Sequence, residues 1–229
     1  MKTAVVTGGS KGIGKACVDE LVEMGYFVHY SYLTTVPNDT GYSTKALQAD
    51  VRNYSAMKEW IDSIDKIDVL VNNAGIAIDK SILNLSIDDW HRVLNINLTG
   101  AFYLTKSCAL KFIRQGFGNI INISSVSGLV GAVGQANYSA SKGGLNSLTK
   151  VVAKELANFG GRCNAICAGI IDTDMIKNSS CSDAIERVAK YVPLKRMGTV
   201  KEIAHAMRFL IENEYITGQL LQVDGGLVI

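Results

Sequence analysis

Lys2-Thr3-Ala4-Val5-Val6-Thr7-Gly8-Gly9-Ser10-Lys11-Gly12-Ile13-Gly14 follows the first methionine and decides the fold of this chain. Residues 2–7 are largely β-branched or apolar and stop at glycine, the pattern of a short buried strand. Ala16, Val18, Leu21, Val22 and Met24 then form an apolar helical stripe that ends at Gly25, and Tyr26-Phe27-Val28-His29-Tyr30 reads as a second strand. Strand, glycine turn, helix and strand make a βαβ unit. In it Gly8 permits the tight turn, Gly12 lets a pyrophosphate approach the backbone, and Gly14 lets helix and strand pack closely. The free N–H groups and partial positive charge of the helix N-terminus face the phosphates. The spacing Gly-x-x-x-Gly-x-Gly differs from the commoner Gly-x-Gly-x-x-Gly; its place between a strand and an amphipathic helix favours a dinucleotide site over a plain turn.

Outward from this unit, strand-like and helix-like segments alternate. Strands are expected at 45–49, 67–71, 119–123, 162–167 and 219–223. Helices are expected at 54–64, 87–115, 137–158, 183–191 and 200–212. About seven strands with crossing helices predict an α/β fold: a Rossmann-like, doubly wound parallel sheet with helices on both faces, in one domain over residues 1–229. A ligand then lies beyond the carboxyl ends of the strands. Gly8, Asn72 to Gly75, Ser124 with Ser125, and Gly169 to Thr173 all follow strand ends and converge on one crevice.

The chain has 229 residues, 48% hydrophobic and 19% charged, enough for one substantial core. A net charge of +2 without a basic block points to no nucleic-acid partner. No apolar run approaches the roughly 20 residues of a membrane span, and the first apolar stretch is the first strand itself, not a leader. Cys17, Cys108, Cys163, Cys167 and Cys181 are odd in number and lack Cys-x-x-Cys pairing, which suits reduced thiols in a cytoplasmic protein. Three scattered histidines make no metal site.

The chemistry is carried by Tyr138 and Lys142, four apart and therefore on one helical face. Ser125 lies thirteen positions upstream of the tyrosine. A phenol titrates near pH 10, and a neighbouring ammonium favours the phenolate and lowers that value. A serine hydroxyl can hold a carbonyl oxygen. Together these groups can move a proton at an alcohol or ketone oxygen while a hydride moves at the carbon. Ser124 is the rival for the serine role, and the spacing to Tyr138 favours Ser125.

At this point the sequence resembles the short-chain dehydrogenase/reductase family over its whole length. Thr7 to Gly14 looks like the cofactor loop, with Gly8, Ser10, Lys11, Gly12, Ile13 and Gly14 toward the coenzyme. Asp50-Val51 is similar to the pair flanking the adenine. Asn72-Asn73-Ala74-Gly75 resembles the turn under the cofactor, and Gly169, Ile171 and Thr173 the loop that holds the nicotinamide carboxamide. Asn97, in Asn95-Ile96-Asn97-Leu98, matches the catalytic asparagine, and Ser125, Tyr138 and Lys142 complete the tetrad. Pro193 to Gly198 and Val223 to Gly226 match the C-terminal signatures. Within the family the likeness is to bacterial reductases of 3-oxoacyl thioesters, through Asn97 to Gly100, Gly134 to Tyr138 and Ile216 to Gln219. The resemblance implies Tyr138 as general acid in ketone reduction and Lys142 as the group that lowers its pKa and binds the nicotinamide ribose. It implies Ser125 as the orienter of the substrate oxygen and Asn97 as the holder of a proton-relay water. It also implies a homotetramer or dimer, and an acyl carrier protein or coenzyme A as the thioester's bearer. Alternatives are an alcohol, sugar or steroid dehydrogenase of the same family, or a cofactor-binding scaffold without turnover.

An acidic residue at the end of the second strand usually selects NAD(H). Here Tyr32 holds that place, Lys11 is a cation in the glycine loop, and Ser31 and Thr34 are hydroxyls nearby. That favours NADP(H), with NAD(H) as the alternative. Two features depart from the family pattern. The segment 32–50 is short, so its helix is expected to shrink to a loop. Ala168 stands where a proline normally precedes Gly169, which predicts a softer nicotinamide loop. The loop 178–182 suggests an open pocket, and Lys111, Arg114, Lys177 and Arg187 are candidate docking charges for an acidic carrier.

Overall fold

The computed structural model describes residues 1–37, 41, 43–174 and 190–229. Seven strands form one sheet in the order β3-β2-β1-β4-β5-β6-β7. They are β1 (Lys2–Val6), β2 (Tyr26–Tyr32), β3 (Thr44–Gln48), β4 (Val69–Asn72), β5 (Gly118–Ser125), β6 (Gly161–Ala168) and β7 (Leu220–Val223). All adjacent pairs are parallel. The strand order reverses between β1 and β4, and a doubly wound sheet opens its ligand crevice at such a point.

The alternation of side chains along β1 shows why helices cover both faces. Ala4 and Val6 join a core with Cys17, Leu21, Ile203 and Met207, from α1 (Gly12–Glu23) and α7 (Val200–Glu212). Val5 points the other way and joins Met57, Leu104, Phe112 and Leu156. Those residues come from α2 (Tyr54–Asp62), α4 (Ala101–Gln115) and α6 (Ala136–Ala157). Central strands are buried on both faces: Ala4 to Val6 and Val69 to Val71 read as continuous apolar runs, while β5 and β6 bury Asn119, Asn122 and Asn164 among their apolar residues.

Three expectations change. The single helix expected over 87–115 is α3 (Ile87–Leu94), a π-helical stretch Asn95–Gly100, and α4. A π-turn holds one more residue per hydrogen-bonded ring and swings the following side chains round. A short helix α5 (Ser127–Val130) follows β5 and was not anticipated. It is four residues long, too short for periodicity to register. The other boundaries move by one or two residues, as helix and strand ends do.

Among the described residues no helix lies between β2 and β3, in keeping with the short segment there. The expected helix near 183–191 falls almost wholly outside the described residues. The loop 178–182 with Cys181, Lys177 and Arg187 lie outside them as well. No helix among the described residues is long and apolar enough to cross a membrane.

Candidate active site

The glycine turn is built by close approach. Gly8 has φ +67° and Gly12 φ +55°, both in the left-handed region that favours glycine. A Cβ on Gly14 would stand 2.1 Å from the Gly8 carbonyl oxygen and 2.4 Å from Asn73 Nδ2. Helix α1 therefore rises directly off the turn. The side chains of Asn53, Ser86 and Thr199 cap α2, α3 and α7. Lys11, the residue at the start of α1, makes no such bond. The N–H groups of that helix end are left for an anionic ligand, and the nearest group to a Cβ on Gly12 is Thr173 Cγ2 at 3.8 Å. This cradle fits the phosphates of a dinucleotide.

The turn after β4 locks the cradle in place. Asn73 Nδ2 donates to the Thr7 and Gly8 carbonyls at 3.0 Å each. Thr7 Oγ1 accepts from the Asn73 and Ala74 amides, also at 3.0 Å. Gly75 packs against Asn97. Thus Asn73 and Ala74 are brought beside Gly8, and Gly75 beside Asn97. Ser10, Lys11, Gly12 and Ile13 line the outer part of the turn, with Lys11 exposed.

At the end of β2 the residues divide. Ser31 is 1% exposed and its carbonyl accepts the Gly9 amide at 2.9 Å. Its hydroxyl is therefore not placed to meet a 2′-phosphate in solvent, contrary to expectation; strand alternation turns it into the sheet. Tyr32 and Thr34 keep exposed surface there. Asp50 is held in a fork by Arg52, with Nη2 at 2.6 Å, and this pairing pulls its carboxyl below the usual range. Val51 is buried against Gly100 and contributes packing with its side chain.

The tetrad positions meet at the carboxyl end of β5. Ser125 is the last residue of that strand, and Tyr138 and Lys142 share one face of α6. Lys142 Nζ donates to the Ile123 carbonyl at 2.8 Å and stands 5.7 Å from the Tyr138 ring centroid. Burial lowers Lys142 to about 8. Burial also raises Tyr138 to about 12, opposed by a hydrogen bond from Ser125 and reinforced by the charge of Asp79. The expected lowering of the phenol by its lysine is thus outweighed here by desolvation, because the amine bonds a main-chain carbonyl and not the phenol oxygen.

Asn97 sits within the π-helical stretch, 1% exposed. Its Oδ1 accepts from the Ile76 amide at 2.9 Å, and its Nδ2 donates to the Ile76 carbonyl and to Ser141 Oγ at 2.9 and 3.2 Å. The side chain therefore ties the turn after β4 to α6. Ser124, the rival serine, donates to Asn146 Oδ1 at 2.6 Å and is 3% exposed, a structural role. Across the crevice, Ile171 bridges to Gly198 and is buried, while Gly169 packs on Asp224, where a Cβ would meet backbone at 2.6 Å. Cys167 is buried, and burial lifts its thiol to about 11, which suits an inert group.

Sequence reasoning missed Asp79 and the part of Gln135 beyond family likeness. Gln135 Nε2 donates to both Asp79 oxygens, at 3.2 and 3.3 Å, beside Tyr138. The signal was the acidic residue that directly follows the apolar run Ile76-Ala77-Ile78. A separate groove of about 420 Å³ runs between α1 and α7, lined by Lys15, Asp19, Lys201 and His205 among others. It touches Gly12 and Thr173 but no tetrad position, so it is separate from the place above β5 where those residues gather.

Residues 8–228 match the family model described as enoyl-(acyl carrier protein) reductase. The chain is 42% identical to a 3-oxoacyl-[acyl-carrier-protein] reductase of Synechocystis, covering 99% of this chain and 97% of the relative. It is 37% identical to one of Aquifex aeolicus, with the same coverage. A solved putative gluconate dehydrogenase from Agrobacterium tumefaciens superposes with a TM-score of 0.92 at 33% identity, covering 100% of this chain and 96% of that one. The ligand-free aldohexose dehydrogenase of Thermoplasma acidophilum gives 0.91 at 34% identity, covering 99% and 93%.

Proposed function

Because the chain belongs to the short-chain dehydrogenase/reductase family, an oxidoreductase family, we propose that it reduces the ketone of a 3-oxoacyl thioester to a secondary alcohol with NADPH. One observation carries the reading: Ser125, at the end of β5, stands close enough to the Tyr138 hydroxyl to act on its titration, with the Lys142 amine 5.7 Å from the phenol ring. Bound NADPH supplies the hydride. Ser125 holds the substrate oxygen, and Tyr138 gives it a proton. A phenol kept at about 12 by burial stays protonated at neutral pH, the form that reduction needs. Lys142 places a positive charge below this pair and binds the ribose. Asn97 shapes the π-turn and offers carbonyl oxygen to a relay water.

The thioester reading is supported by relatives at 37–42% identity over nearly the full chain. An acyl carrier protein or coenzyme A then bears the substrate, and a homotetramer or dimer in the cytoplasm is the working assembly. NADP(H) is preferred over NAD(H), because Lys11 is exposed and no carboxylate stands among the described residues at the end of β2. The solved dehydrogenases of sugar substrates give a second reading, oxidation of a polyol. Consumption of NADPH with acetoacetyl-CoA tests the first, and reduction of NADP⁺ by glucose tests the second. Tyr138→Phe is expected to lower the reductive rate by about 10²–10⁴. A rate near wild type in that variant removes Tyr138 from the acid's role.

A further inference from the structure

Asp79 is a charge near Tyr138 that carbonyl reduction by the tetrad does not use. Its carboxylate is pinned through Gln135, whose Oε1 in turn accepts from the Ser127 hydroxyl at 2.9 Å. Main-chain contacts fix the same lip. The Lys80 amide donates to the Gly134 carbonyl at 2.8 Å, and Asn137 Nδ2 donates to the Ile78 carbonyl at 3.3 Å. Three elements therefore converge on Asp79: the segment after β4, helix α5 and the start of α6. Tyr138 is the third residue of α6.

The carboxylate is half-buried, and its hydrogen-bond partner is a neutral amide. The adjacent Lys80 turns away and pairs with Asp89 at 2.7 Å. Lys142, the nearby buried ammonium, donates to Ile123. Among the described residues no cation forms an ion pair with Asp79, and its charge reaches the Tyr138 hydroxyl. A fixed negative charge in a partly desolvated crevice repels a second one brought in by a ligand.

We infer that Asp79, held by Gln135, is a specificity-determining residue that makes the crevice select oxo substrates with neutral substituents over oxo acids. This rests on reading the crevice as a site of carbonyl reduction. An ester or thioester beside the ketone brings no charge against Asp79. A free carboxylate at the same place does, and removing one such repulsion is worth about tenfold or more in kcat/KM.

Ethyl acetoacetate and acetoacetate differ in whether the group near the ketone is an ester or a carboxylate. We expect Asp79→Asn to narrow the ester-to-acid ratio of kcat/KM by about tenfold, through a lower KM for acetoacetate. Asp79→Glu, which keeps the charge, should retain most of the preference. A purely structural Asp79 would depress both substrates together and leave the ratio alone; that result overturns the inference. Should Asp79→Asn fail to fold, Asp79→Ser and the salt dependence of the wild-type ratio make the same test. A ratio that neither salt nor Asp79→Ser moves is again the overturning result. Turnover of no ketone by the wild type, acetoacetyl-CoA included, would sink the reductase reading itself and the filter with it. Turnover with an unaltered ratio sinks only the filter.

Discussion

Lys142 Nζ lies 5.7 Å from the centre of the Tyr138 ring, and its hydrogen bond at 2.8 Å goes to the Ile123 carbonyl at the end of β5. The two side chains share a helix face, yet the sheet, through Ile123, sets where the amine points. Desolvation then governs both titrations, holding the lysine near 8 and the tyrosine near 12.

The first consequence is a pH profile. Lys142 is charged below about pH 8 and neutral above it, while Tyr138 stays protonated throughout that range. The value of kcat/KM for ketone reduction should be level on the acid side and fall as pH rises through about 8. If one proton is involved, the limb falls about tenfold per pH unit. Steady-state rates across pH 6 to 10 (roughly the range that brackets this lysine) check it. A level profile well above pH 8 would detach the ammonium from the reaction.

A buried ammonium also costs stability. The unfolded lysine titrates at its ordinary value of 10.5, above the folded value of about 8. Between those values the unfolded chain binds more protons, so stability from this group rises with pH across that window. Below it the penalty is full. Lys142→Met should therefore raise the melting temperature at pH 7, by an amount corresponding to about 1–3 kcal/mol, while reduction is lost. Calorimetry and rate assays on the same preparation decide this. A lower melting temperature would mean that the bond to Ile123 outweighs desolvation.

The glycine turn makes a sharp contrast of two substitutions. At Gly14 a Cβ would meet the Gly8 carbonyl at 2.1 Å, so Gly14→Ala must push α1 off the turn. It should weaken coenzyme binding at least about tenfold, as measured by fluorescence titration. At Gly143, inside α6, the nearest atom is the Gly128 carbonyl oxygen at 3.4 Å, an ordinary contact. Gly143→Ala should stabilise the fold by up to about 1 kcal/mol through helix propensity. Equal effects of the two changes would contradict the close approach at the phosphate cradle.

The proposed preference for NADP(H) rests on Lys11. It is exposed on the turn, and Tyr32, not a carboxylate, ends β2. Lys11→Glu should weaken NADPH about tenfold or more and change NADH much less. Dissociation constants for both coenzymes in both proteins test this. Tighter binding of NADH by the wild type would reverse the assignment.

The order of elements was readable along the chain because a strand that packs between two helix layers is mostly apolar on both faces. Ala4 to Val6 and Val69 to Val71 show that, and Gly8, Gly12 and Gly14 mark the turn on which the proposed phosphate cradle is built. The Tyr138 and Lys142 pair was readable because helical spacing is local. What depended on contacts between distant segments was not. The π-helical stretch around Asn97 has no periodic signature, and the burial of Ser31 follows from its register on β2. Asp79 meets Gln135 across 56 positions of chain. The protonation of Tyr138 was misjudged for the same reason. Desolvation is a property of everything folded around the hydroxyl, and only the tertiary structure brings those atoms together.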